Sequence, residues 1–134
     1  MKITVSSPDI TRVHTHCLVI PIHENDRRSA SARKVEAATQ GLISTLAKAG
    51  DIDGRPGTVL MTPAPSGVNA QRLLLVGVGE HPDADDFARA AAATAQRLCA
   101  IPATNAVVTL AEISAKGIDP STRARVLAQA LHNA

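Results

Sequence analysis

The chain has 134 residues, 45% of them hydrophobic, which suits one domain with a single core and is too few for two ordinary ones. Fourteen basic residues against twelve acidic ones leave a net charge of +2, too balanced to mark a nucleic-acid or anionic-membrane partner without a local patch. Phe87 is the only Phe, Tyr or Trp, so the core must be built from Val, Ile, Leu and Ala, and no aromatic platform exists for stacking sugars or single-stranded bases.

The N-terminal stretch lacks the apolar centre of a secretory signal, and no run approaches the roughly 18 apolar residues of a membrane span. The expectation is a soluble, cytoplasmic protein with no membrane partner. "KITV" (2–5) predicts a short strand closed by a turn. "HTHCLVIPI" (14–22) predicts a second strand, its neighbour, with Pro21 at an edge or already outside the sheet because it lacks a backbone donor. The polar stretch 23–34 leads into a helix whose Val35, Ala38, Leu42 and Leu46 recur at spacings of three and four, stopped by Gly50. Gly41 inside that helix signals either a distortion or, the favoured reading, a backbone packed closely against it.

"DIDGRPG" (51–57) is a turn, and "TVLMTPAP" (58–65) is a strand that Pro63 and Pro65 end. "RLLLVGV" (72–78) is a continuous apolar run, expected as the central strand with helices covering both faces. Asp83 is placed to cap a helix with Asp85 and Asp86 in its first turn, a buried stripe of Phe87, Ala91, Thr94 and Leu98, and an end near Ala100. "NAVVTLAEI" (105–113) predicts another interior strand. Asp119 and Pro120 open a third helix, with Val126, Leu127, Ala130 and Leu131 on its apolar face. That helix still runs at Ala134, the pattern expected of a domain cut from a longer chain. Strands alternating with helices predict an α/β fold: three layers, α/β/α, around a mixed, mainly parallel sheet with right-handed crossovers.

Each motif has a bland alternative. Gly77-Val78-Gly79 begins like a dinucleotide fingerprint, but Pro82 stands where the third glycine belongs and the helix starts only afterwards, so a tight strand exit is the better reading. His14 and His16 would share one face of a strand, yet a metal needs three or four converging ligands. Cys17 and Cys99 lie in apolar segments and read as small buried hydrophobes. Arg27, Arg28, Arg33 and Lys34 form the one basic cluster, at a helix start where positive charge opposes the dipole; a DNA or anion contact is the functional reading and a solvated loop the simpler one. Arg123 and Arg125 offer little more. No nucleophile elbow and no carboxylate pair stands out for catalysis.

Taken together, "GLISTLAKAGDIDGRPGTVLM" (41–61), "RLLLVGVGE" (72–80), "DADDFARAAAATAQRL" (83–98) and "NAVVTL" (105–110) resemble the N-terminal domain of the leucyl aminopeptidase (cytosol aminopeptidase) family. The resemblance implies a macro-domain-like fold for residues 1–134 as a single accessory domain, non-catalytic, shaping the oligomer and active-site access in a homohexameric enzyme. It places the chemistry in a separate C-terminal domain holding two divalent metals, zinc or manganese, around an N-T-D-A-E-G-R-L signature. That signature is absent from this sequence, so no catalytic or metal-binding residue carries over. Because some bacterial members also regulate through DNA, the basic cluster keeps a DNA-binding alternative open. The macro-domain likeness adds a third, ADP-ribose binding, which the acid in "GVGEHPD" disfavours beside a pyrophosphate.

Overall fold

The computed structural model describes residues 1–5, 9–63 and 65–132. Five strands, β1 (Lys2–Thr4), β2 (Leu18–Ile22), β3 (Val59–Pro63), β4 (Arg72–Gly77) and β5 (Asn105–Val108), form one sheet in the order β1-β5-β2-β4-β3. Four strands run parallel, and β3 pairs antiparallel with β4 at one edge. The helices are α1 (Ala30–Ala38), α2 (Leu42–Lys48), α3 (Ala84–Cys99) and α4 (Pro120–His132), with a short 3-10 turn at Leu110–Glu112.

The sheet divides the apolar residues between two cores. Val19, Leu74, Val76 and Val108 meet Phe87, Ala90, Ala91, Leu98 and Leu127 of α3 and α4. On the opposite face Leu18, Ile20, Leu73 and Leu75 meet Ala32, Val35 and Ile43 of α1 and α2. Successive residues of a strand point to opposite faces, which is why β2 and β4 are apolar without interruption. The three-layer α/β/α arrangement is therefore present, with β2 rather than β4 in the middle.

Several local features differ from the sequence reading. β1 and β2 are not neighbours, because β5 lies between them. The burial explains the placement: Ala106, Val107 and Val108 are buried and need cover on both sides, whereas the largely exposed three-residue β1 tolerates an edge. Residues 14–17 precede the strand. Pro21 sits inside the central strand, opposite Val76. Val107 and Thr109 donate their N–H groups to Cys17 O and Val19 O, so alternate residues 17, 19 and 21 face β5. β5 ends at Val108, and Pro21 thus meets a local edge where no donor is required.

The predicted long helix is two helices. Gln40 (φ 58°) and Gly41 (φ 93°) turn the chain left-handed between α1 and α2. A side chain at Gly41 would meet only Glu36 Oε1 at 3.9 Å, so distortion, not close packing, explains this glycine. Glu36 then serves the new helix start, accepting from Ser44 N–H at 3.1 Å and Ser44 Oγ at 2.7 Å. Its carboxylate also suits the positive end of the α2 dipole. The strand predicted over 105–113 stops at Val108 and becomes the 3-10 turn.

The caps of α3 and α4 form as read. Asp83 accepts from Asp86 N–H at 2.9 Å while Asp86 accepts from Asp83 N–H at 3.2 Å, a reciprocal capping box. Asp119 accepts from Thr122 N–H at 2.7 Å ahead of Pro120.

Candidate functional site

The candidate site is the carboxyl edge of β2, β4 and β5. Its helices leave to opposite faces: β2 feeds α1 on one side, while β4 and β5 feed α3 and α4 on the other. Such a divergence opens a crevice at the strand ends, the usual ligand position in sheets of this type.

The glycine corner after β4 is closed by its own neighbours. Gly77 N–H donates to Thr58 O at 2.8 Å, Val78 N–H to Ile22 O at 2.9 Å, and Gly79 N–H to Gly54 O at 2.9 Å. Gly57 N–H in turn donates to Gly77 O at 3.0 Å. A Cβ on Gly77 would stand 2.0 Å from Arg55 O, and Gly79 has φ 94°. The glycines permit this close approach, and all three N–H groups of residues 77–79 are spent on protein carbonyls. The tight-exit reading describes the corner.

The start of α1 is likewise occupied. Ser29 Oγ accepts from Ala32 N–H at 3.3 Å, and Glu112 Oε2 accepts from Ser31 N–H at 2.9 Å. Ser31 Oγ lies 2.9 Å from Thr109 Oγ1, whose proton goes to Val19 O at 2.8 Å. The carboxylate that a helix N-terminus favours is supplied from the β5 side of the crevice. Sequence reasoning missed Glu112, because nothing in its local pattern reveals a contact spanning about eighty residues.

The basic cluster spreads over two elements. Arg27 and Arg28 lie in the β2–α1 loop, while Arg33 and Lys34 are exposed on α1. Arg27 Nη2 is 3.2 Å from His23 Nε2. Arg28 is half-buried and donates to Asn25 O at 2.9 Å and Arg27 O at 3.1 Å. Lys34 borders a shallow cavity of about 170 Å³ with Ser31, Thr109 and Glu112. Arg123 is buried, donating to Ala111 O at 3.3 Å and Ile118 O at 3.1 Å; it ties the 3-10 turn to the next loop and is not free to meet a phosphate. Arg125 remains exposed.

His23 also escaped the sequence reading, where it is only the first residue of the polar stretch 23–34. It is 3% exposed, and burial, then Arg27 and Arg28, hold its imidazole below the usual histidine pKa. His14 is exposed, and His16 Nδ1 accepts from Thr104 N–H at 3.0 Å. Among the described residues no three His, Cys, Asp or Glu side chains converge to hold a metal. Cys17 is buried as read, and desolvation pushes its thiol up to about 11. Cys99 is exposed, because the last turn of α3 rotates it away from the stripe that ends at Leu98.

Comparison with known proteins agrees with this geometry. Residues 19–134 match the cytosol aminopeptidase family, N-terminal domain. The probable cytosol aminopeptidase of Halorhodospira halophila is 34% identical over 98% of this chain, and that of Burkholderia multivorans 39% over 84%. The chain spans 27% and 23% of the length of those two proteins. Among solved structures, the macrodomain of Mycobacterium tuberculosis DarG superposes with a TM-score of 0.76 at 13% identity, over 98% of this chain and 90% of that one. A mutant tomato leucine aminopeptidase gives 0.71 at 19% identity, over 98% of this chain and 27% of that one. Those two likenesses establish a macrodomain-like fold, and the family match establishes the rest: the chain belongs to the cytosol aminopeptidase family, as its N-terminal domain.

Proposed function

We propose that residues 1–134 act as a single, non-catalytic accessory domain of a leucyl aminopeptidase, helping to shape its oligomer and the access to its active site. The observation that carries this reading is the span of the match: almost all of this chain aligns with 27% of a cytosol aminopeptidase, leaving most of that protein for the chemistry. In this reading the natural chain continues into a C-terminal catalytic domain. That domain binds two divalent ions, zinc or manganese, which activate water and polarise the scissile carbonyl. The assembly is a cytoplasmic homohexamer. No helix among the described residues is long and apolar enough to cross a membrane.

The test is metal-dependent hydrolysis of leucine amide, with this chain alone and fused to the remainder of a relative. Activity only in the fusion, together with a hexamer by sedimentation, is the expected outcome. Turnover by the purified 134-residue chain would sink the non-catalytic reading.

A DNA-binding role is the second reading, supported by exposed Arg27, Arg33 and Lys34 with half-buried Arg28 beside them. Salt-titrated gel shifts with these four changed to Ala test it; unchanged affinity removes the cluster from consideration. An ADP-ribose role draws on the fold likeness only, and calorimetry with ADP-ribose addresses it directly.

A further inference from the structure

The end of β2 carries a group that neither the sheet nor the helices use. The Arg27 guanidinium can only donate, so His23 Nε2, 3.2 Å from it, holds a lone pair, and the neutral ring carries its proton on Nδ1. That Nδ1 is buried and has no partner among the described residues. A buried donor without an acceptor is costly, and native structures keep one where something else completes it.

His23 borders a cleft of about 350 Å³ with Ile22 and Ile52 among its apolar residues and Glu24, Asp26, Asp53 and Arg28 among its charged ones. Asp53 is engaged by Arg55 at 3.5 Å. Glu24, Asp26 and Arg28 form no ion pair among the described residues. The cleft therefore offers unpaired charge of both signs and an apolar surface at the carboxyl end of the central parallel strand, with His23, whose Nδ1 is buried and unpartnered among the described residues, in its lining.

We propose that this cleft binds a free α-amino acid with an aliphatic side chain. Its carboxylate would meet Arg28 and the Nδ1–H of His23, its ammonium Glu24 and Asp26, and its side chain Ile22 and Ile52. A purely anionic ligand would face two unpaired carboxylates, and a nucleobase would leave all three charges unanswered. The choice of an amino acid among small zwitterions rests on the aminopeptidase reading, whose product it is; the cleft itself does not.

The experiment titrates the 134-residue chain with leucine while recording backbone amide and imidazole nitrogen NMR spectra. Saturable shifts at His23 and in residues 22–28 and 50–54 are expected. N-acetyl-leucine and leucinamide each lack one charge and should bind about tenfold more weakly, as should leucine to Arg28→Ala and His23→Phe. The ligand analogues keep the test decisive if a variant loses its fold. Absence of a saturable response at about 50 mM leucine, equal responses to all three compounds, or tighter binding of adenosine would overturn the proposal. None of these results bears on peptide hydrolysis by the longer protein, so the two readings fail separately.

Discussion

Two corners leave adjacent parallel strands at the same edge of this sheet and are built in opposite ways. After β4, backbone closes on backbone: residues 77–79 give every N–H to carbonyls of residues 22, 54 and 58, and no side chain fits at Gly77. After β2, side chains do the work: Arg27 reaches His23, Arg28 binds the carbonyls of Asn25 and Arg27, and one His23 ring nitrogen stays unanswered among the described residues. A corner made of satisfied peptide groups can only hold the fold. A corner made of half-satisfied side chains has capacity left for a ligand.

The largest effect that could break this contrast is at Gly77. Gly77→Ala drives a methyl group into Arg55 O, and a loss of about 3–4 kcal/mol is expected in urea unfolding. Gly50→Ala is the control, since Gly50 has φ 81° but nothing within 4 Å, and about 1 kcal/mol is expected from backbone strain. Equal losses at the two positions would mean that the β4 corner is not closed by contact. Next in size, Asp83→Ala removes the cap that starts α3 beyond this corner and should cost about 1 kcal/mol by the same measurement.

The β2 corner should show itself through pH. The folded protein holds His23 below its unfolded pKa, so the unfolded chain takes up more protons in the window between the two values. Stability from this group is complete above about pH 6.5 and falls with acidification until the folded pKa is passed. His23→Gln should flatten that slope. Asp9 and Asp119 are also held below their ordinary values, by hydrogen bonds from Thr11 and Thr122 respectively, but their contribution is lost only below about pH 4. A slope unchanged by His23→Gln would place the acid sensitivity elsewhere. The smallest perturbation is thiol labelling: the native protein should react at exposed Cys99 and withhold Cys17 until it unfolds.

Features that depend on near neighbours were legible in the sequence. The caps at Asp83 and Asp119, the buried stripe from Phe87 to Leu98 and the apolar run of β4 each have their cause within a few residues. Legibility failed where the cause lies far along the chain. Periodicity alone carried the first helix through Gly41, because Leu42 and Leu46 still face the same core after the break. The neighbour of β1 could not be read from its three residues. The site suffered most. The basic residues drew attention by their charge, whereas His23 and Glu112 matter through burial and through a distant partner, neither of which leaves a local pattern.

Pro21 shows how far a missing donor can reach. Because the central strand offers no N–H there, extending β5 past Val108 would gain one ladder hydrogen bond fewer on that side, and the chain leaves the sheet at that point. The released residues coil into the 3-10 turn and bring Glu112 across to the first turn of α1. A position read as the end of a strand thus weakens the hold on the strand beside it, at the point from which Glu112 reaches the mouth of the crevice.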